Sequence, residues 1–88
     1  GGDNKLLMNK GLYVEDINYI NDIEYKYPIK CSVQVRHQHT PVNCTIEKSS
    51  NEYKVIFEES IRAIAPGQSA VFYDNDICLG GGVICKTF

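Results

Sequence analysis

The side chains that could do chemistry in this sequence are few. They are four cysteines (Cys31, Cys44, Cys78, Cys85), two histidines (His37, His39), the acids Asp74 and Asp76, the run Gly80-Gly81-Gly82, and the polar residues Arg36 and Gln68. A catalytic cysteine needs a nearby cation or base to hold its thiolate. Around Cys78 and Cys85 only Lys86 is basic, so a thiol enzyme has no recognisable cysteine–base arrangement. A structural zinc site needs paired ligands at short spacing. No CxxC pair occurs and neither histidine completes a finger spacing, so no metal site is expected. A phosphate loop needs a helix after its glycines and a Lys-Ser/Thr pair. Only six residues follow Gly82, and Val83-Ile84 has strand character, so the glycines are expected to make a tight turn or admit a close backbone approach. If Gly81-Gly82 forms a two-residue hairpin loop, Cys78 and Cys85 face each other across it. Asp74 and Asp76 flank Asn75 and are expected to form a hairpin tip rather than an acid/base pair.

Arg36 and Gln68 carry groups able to meet a nucleic acid, although for Arg36 composition alone favours a solvated surface side chain. A guanidinium can donate two parallel hydrogen bonds to phosphate or stack on an unpaired base. A glutamine amide both donates and accepts, which fits a ribose hydroxyl or a base edge; its alternative use is to close its own turn. His37 could stack or donate when protonated, although its strand phase points to the apolar side. The net charge of −2 argues weakly against nucleic acid, but its distribution is uneven. Between positions 25 and 46 there is no Asp or Glu, while Lys26, Lys30 and Arg36 are present. Positions 60–73 are again free of acid and contain Arg62. Acids collect instead at Glu15-Asp16, Asp22 and Glu24, Glu58-Glu59 and Asp74 with Asp76.

The elements that must position these residues are strands. Cys31, Val33 and Val35 alternate with Ser32, Gln34, Arg36 and Gln38, the two-residue period of a strand with one wet face. Leu12-Tyr13-Val14, residues 43–48, the alternation Tyr53, Val55, Phe57, the short apolar stretch 61–65 and residues 69–73 all have strand character. Residues 16–21 are expected to form a turn or a single helical turn. Ser49-Ser50-Asn51 has turn composition. In Ala65-Pro66-Gly67-Gln68, Pro and Gly occupy the central positions of a type II turn. Residues 77–79 and 83–85 are expected as two short strands flanking the glycines. Many short strands separated by turn signals predict an all-β fold, a small antiparallel barrel of about six strands. At 88 residues, with 43% hydrophobic and 23% charged residues, the chain has material for one core. Residues 1–10 are expected to be a tail or the end of a linker, and 11–88 the barrel. No apolar run reaches the roughly 18 residues of a membrane span. The opening Gly1-Gly2-Asp3-Asn4-Lys5 lacks a signal-peptide layout and an initiating Met, so a fragment with reduced, cytoplasmic thiols is expected.

One combination is more specific. The segment Ala65-Pro66-Gly67-Gln68-Ser69-Ala70-Val71-Phe72-Tyr73-Asp74, continued by Cys78-Leu79-Gly80-Gly81-Gly82, resembles the C-terminal signature of tRNA-specific 2-thiouridylases. Leu12-Tyr13-Val14-Glu15-Asp16-Ile17-Asn18-Tyr19 is similar to the family's opening strand, with Tyr19 where Trp is usual. Val33-Gln34-Val35-Arg36-His37 and Pro41-Val42-Asn43-Cys44-Thr45 resemble its Arg-Tyr strand and the turn after it, with His37 in place of Tyr. The resemblance covers nearly the whole chain. It implies a β-barrel like the second domain of elongation factor Tu, placed after an N-terminal ATP-pyrophosphatase domain and a central domain. It implies a parent enzyme that adenylates the wobble uridine of tRNA with ATP and inserts sulfur delivered as a persulfide by a relay protein. Catalytic residues would then lie outside this chain, and Arg36, His37 and Gln68 would contact RNA. The competing expectation is a barrel that only packs against and stabilises its neighbouring domains.

Overall fold

The computed structural model describes residues 8–21, 23–35, 40–50, 52–62 and 64–88. Among these, all regular structure is strand: β1 (Met8–Val14), β2 (Asn18–Tyr19), β3 (Ile29–Gln34), β4 (Val42–Ser49), β5 (Glu52–Arg62), β6 (Ser69–Asp74) and β7 (Ile77–Thr87). Every pairing is antiparallel, in the order β1-β5-β4-β3-β6-β7. β7 then pairs back onto β1, with Leu12 opposite Thr87, which closes six strands into a barrel. Closure satisfies both edges of the sheet and removes a template for unwanted strand addition. β2 lies outside the ring as a short extra strand on β7.

Alternation along each strand fills the barrel. Leu12, Val14, Val33, Ile46, Val55, Phe72 and Ile84 are fully buried, and Val35, Cys44, Phe57 and Ala70 complete the same interior. The expected inward faces are the observed ones, Val33 in β3 with Val35 just past its end and Val55 with Phe57 in β5, while Cys31 and Tyr53 pack half-buried at the margin. Register breaks at Asn9/Gly11, Tyr13/Val14 and Phe72/Tyr73 mark bulges. A bulge bends its strand and sharpens its twist, which a barrel this small requires.

Several sequence expectations change. The apolar stretch after Ser60 is no separate strand. Ile61 and Arg62 end β5, and Ile64 leads into the corner, its N–H donating to Asn9 Oδ1 at 3.2 Å. Residues 18–19 form β2 instead of a turn. The largest change is at the glycines. β7 runs unbroken from Ile77 to Thr87, so Gly80, Gly81 and Gly82 lie inside a strand and make no hairpin. Cys78 and Cys85 therefore sit seven positions apart along one strand, on the order of 20 Å at the rise of an extended chain. They do not face each other.

The glycines serve the close approach that was the other expectation. A Cβ on Gly80 would collide with the Asn18 carbonyl oxygen and lie 2.8 Å from Tyr19 Cα; one on Gly82 would collide with the Asp16 carbonyl oxygen. Without side chains, β7 lets residues 16–19 lie flat against it, with Asn18 opposite Gly81 and Tyr19 opposite Gly80. Beside this seam sits a tyrosine cluster. Tyr19 stacks on Tyr25 with ring centroids 4.1 Å apart, its hydroxyl shares a 2.7 Å hydrogen bond with that of Tyr27, and Tyr27 tilts against Tyr53. Burial, then the shared hydrogen bond, holds the Tyr19 hydroxyl well above the usual tyrosine range; burial likewise raises Tyr27.

Candidate nucleic-acid interface

The corner before β6 follows from local chemistry. Pro66 supplies the fixed first φ of a type II turn, and Gly67 takes φ +94°, which an L side chain resists. The Gln68 N–H donates back to the Ala65 carbonyl at 3.3 Å. Two further bonds pin the corner to β7: Gly67 N–H to the Ile84 carbonyl, and Ile84 N–H to the Gln68 carbonyl, both 2.8 Å. Open space lies where a Gly67 Cβ would be, so the corner projects from the wall.

Gln68 is half-buried, and its side-chain Oε1 accepts the Ala65 N–H at 3.0 Å. The turn-closing role that competed with RNA contact is thus present. It orients the amide, and the NH2 end is the donor the corner can offer. Arg36 and His37, the other two residues expected to contact RNA, lie outside the described residues, as does His39. What is described is their approach. β3 pairs with β6 through Gln34 opposite Val71 and Ser32 opposite Tyr73, so the end of β3 adjoins the start of β6, where the corner enters.

The wet face expected for Ser32 and Gln34 is joined by Tyr73, missed from the sequence, in a polar row along the outer face of these two strands. Ser32 Oγ donates to the Tyr73 carbonyl at 3.3 Å, and the Tyr73 hydroxyl reaches Gln34 Oε1 at 3.5 Å. The signal was available: Phe72 is apolar and inward, which puts its neighbour Tyr73 outward on the same strand. The row offers an aromatic ring and amide and hydroxyl groups beside an acid-free corner. β6 then ends in the acidic hairpin, where Asp74 pairs with Ile77 and Asn75 takes φ +55°, as expected of turn formers. The Pro-Gly-Gln corner and the carboxylates thereby sit at opposite ends of β6, roughly 17–20 Å apart, while Tyr73, at the far end of the row, adjoins Asp74. Among the described residues, no three His, Cys, Asp or Glu side chains converge as metal ligands.

A closed six-stranded antiparallel barrel with a Pro-Gly-Gln corner and an outer polar row defines a small β-barrel domain. The chain belongs to the aminomethyltransferase beta-barrel domain family, which matches residues 9–84. It is 42% identical over 84 residues to the tRNA-specific 2-thiouridylase MnmA of Pseudomonas aeruginosa and 43% identical to that of Pseudomonas fluorescens. It is 40% identical to the enzyme of the same name from Stutzerimonas stutzeri. These matches span 96% of the chain and 22% of each relative, so the chain corresponds to about a fifth of their length. They bear out the resemblance to tRNA-specific 2-thiouridylases read from the sequence.

Proposed function

We propose that this barrel is the tRNA-contacting, non-catalytic domain of a larger cytoplasmic enzyme that thiolates the wobble uridine of tRNA. The observation that carries the reading is the identity to 2-thiouridylases across 96% of the chain, which includes the Pro-Gly-Gln corner. In this reading other domains bind ATP, adenylate the uridine and receive sulfur as a persulfide from a relay protein. The barrel holds the tRNA through Arg36, His37 and Gln68. Support comes from the acid-free composition around Arg36 and Gln68, the outward corner, and the Ser32–Gln34–Tyr73 row next to it. A surface with so few cations neutralises few phosphates, so the barrel adds modest affinity that falls with salt.

The test is Arg36→Ala in the full-length enzyme. tRNA binding should weaken by about 1–3 kcal/mol, the range for a charge-assisted hydrogen bond, or roughly 5- to 150-fold, with ATP binding intact. Unchanged tRNA affinity in a filter-binding titration removes Arg36 from the interface.

A second reading, a barrel that only packs against its neighbouring domains, has its own observation. Ile20, Ile23, Ile77 and Val83 are each at least 59% exposed, apolar surface that docking to a neighbouring domain would cover. That reading requires tRNA affinity to be indifferent to Arg36 and Gln68, so the same titration separates the two.

A further inference from the structure

The wall between β3 and β4 holds a pair that tRNA contact leaves unused. Cys31 and Cys44 are direct partners in the antiparallel register, and their sulfurs lie 3.8 Å apart, within reach of a thiol hydrogen bond. We propose that Cys31 and Cys44 form a vicinal dithiol site that a peroxide oxidises to a cross-strand disulfide.

The geometry supplies what the reaction needs. Residues directly opposite on antiparallel strands carry their Cβ atoms about 4.5–5.5 Å apart, close to the roughly 3.5–4.5 Å of a disulfide. Small adjustments of two side chains therefore join the sulfurs while the ladder stays intact. Exposure divides the labour. Cys44 is buried in the core, whereas Cys31 is half-buried, and both line a cleft of about 440 Å³ with Lys30, Ser32, Asn43 and Asp74. The hydrogen bond from Cys44 favours the Cys31 thiolate and pulls its pKa below the ordinary thiol value, against burial and the Asp74 carboxylate. Cys44 is pushed up by the same bond, then by burial, with the Cys31 and Glu58 charges adding to it. Cys31, the more exposed of the two, is the attacking thiol and the buried Cys44 the resolving one.

The steps balance. The Cys31 thiolate attacks one oxygen of hydrogen peroxide; the O–O bond breaks, hydroxide leaves, and Cys31 becomes a sulfenic acid. The Cys44 sulfur attacks the Cys31 sulfur, the S–O bond breaks, and the proton from Cys44 leaves with that hydroxyl as water. Two thiols lose two electrons, and the peroxide is reduced to two waters. Cys78 and Cys85 lack this arrangement. They are distant on one strand, and Cys85 donates its proton to the Tyr13 carbonyl at 3.1 Å.

Trypsin makes the test direct, because cleavage after Lys30, Arg36 and Lys48 puts Cys31 and Cys44 in separate peptides, 31–36 and 37–48. Peptide 63–86 carries Cys78 and Cys85. The folded chain is treated with limiting hydrogen peroxide, its free thiols are alkylated, and the digest is mapped by mass spectrometry. The expected result is a reductant-sensitive link between peptides 31–36 and 37–48, with loss of alkylation at both cysteines and retained alkylation at Cys78 and Cys85. In Cys44→Ser, the sulfenic acid should persist on Cys31 and be captured by a 1,3-dione. Peptides that stay separate in the oxidised wild-type chain, or a preferential link within 63–86, overturn the proposal whether or not the variant folds. Capture on Cys44 in Cys31→Ser, with none on Cys31 in Cys44→Ser, overturns the order of attack. None of these outcomes depends on tRNA, so they leave the RNA reading standing or falling on its own titration.

Discussion

Two regions of the barrel turn on a glycine with positive φ, and they use it differently. In the seam between β2 and β7, Gly80 has φ +151° and backbone atoms of Asn18 and Tyr19 press on the place where a side chain would be. At the corner before β6, Gly67 has φ +94° and nothing stands within 4 Å of that place. The seam needs a glycine for conformation and for space; the corner needs it for conformation alone. One glycine lets two pieces of backbone meet, and the other turns the chain outward so that polar groups face solvent. The seam is therefore a part of the molecule that packing defends, and the corner a part that is free to meet a ligand.

The largest effect is expected at the seam. Gly80→Ala adds an overpacking cost of about 1–3 kcal/mol to a backbone strain of about 1–3 kcal/mol. The sum, about 2–6 kcal/mol, reaches the lower end of the total stability of a small domain, of order 5–15 kcal/mol. Urea denaturation should show a large drop in midpoint, or a chain unfolded at the outset. A loss below about 1 kcal/mol would show that β2 swings away from β7 at little cost, and would erase the distinction between the two regions. Next in size is Gly67→Ala, which costs only the left-handed penalty of about 1–2 kcal/mol. Gly67→Asn should lose less, because Asn tolerates that region. If Gly67→Ala proves as damaging as Gly80→Ala, the corner is more tightly enclosed than its open surroundings indicate.

A smaller effect is expected from Gln68→Ala. It removes the bond from Ala65 N–H to Oε1, and Ala65 is exposed enough for water to replace it. Stability should fall by about 0.5–1.5 kcal/mol, the net worth of one hydrogen bond. In the full-length enzyme the same change should weaken tRNA binding more than it weakens folding. If thermal melting shifts while tRNA affinity is constant, Gln68 is a turn-closing residue only, and the corner has no part in recognition.

The two regions were also unequally legible in the sequence. The corner could be read because its determinants are adjacent: Pro66 and Gly67 set the turn through their own backbone preferences. The strands were legible for a similar reason, since Val33 with Val35 and Val55 with Phe57 announce one buried face at a period of two. The seam could be read only in part: a close backbone approach was one of two expectations for the glycines, but the segment that approaches was not legible. Gly80 and Gly82 are required by the carbonyls of Asn18 and Asp16, residues far away in sequence, and three consecutive glycines look locally like a turn. The same limit explains the cysteines. A guessed hairpin paired Cys78 with Cys85, whereas the thiols that meet are Cys31 and Cys44, brought together by the register of β3 on β4. The carbonyl in contact with Cys85 belongs to Tyr13, on a strand at the other end of the chain. Of the candidate interface, Gln68 was legible from its motif, and Tyr73 only once Phe72 was known to point inward.

The finest distinction between the regions lies in their response to alkali. The seam is buttressed by Tyr19 and Tyr27, whose hydroxyls are both held above the ordinary tyrosine pKa, chiefly by burial. A group whose folded pKa exceeds its unfolded value of about 10 stabilises the fold fully below that pH, and the contribution is lost as pH rises through the folded pKa. The hydrogen bond with Cys31, then burial, raises the Cys44 pKa too, which has the same sign, while Cys31 has the opposite sign. The thiols are common to wild type and variant, so the tyrosine part is isolated by difference. Tyr19→Phe keeps the ring stacked on Tyr25 and removes the hydroxyl that would have to ionise. Near neutral pH it should cost about 0.5–1 kcal/mol for the lost hydrogen bond to Tyr27. From about pH 10 upward its stability should decline less steeply than that of wild type, so the two urea-midpoint curves converge. Parallel curves through that range would mean that the seam tyrosines ionise as freely folded as unfolded, and that water reaches them as readily as it reaches the corner.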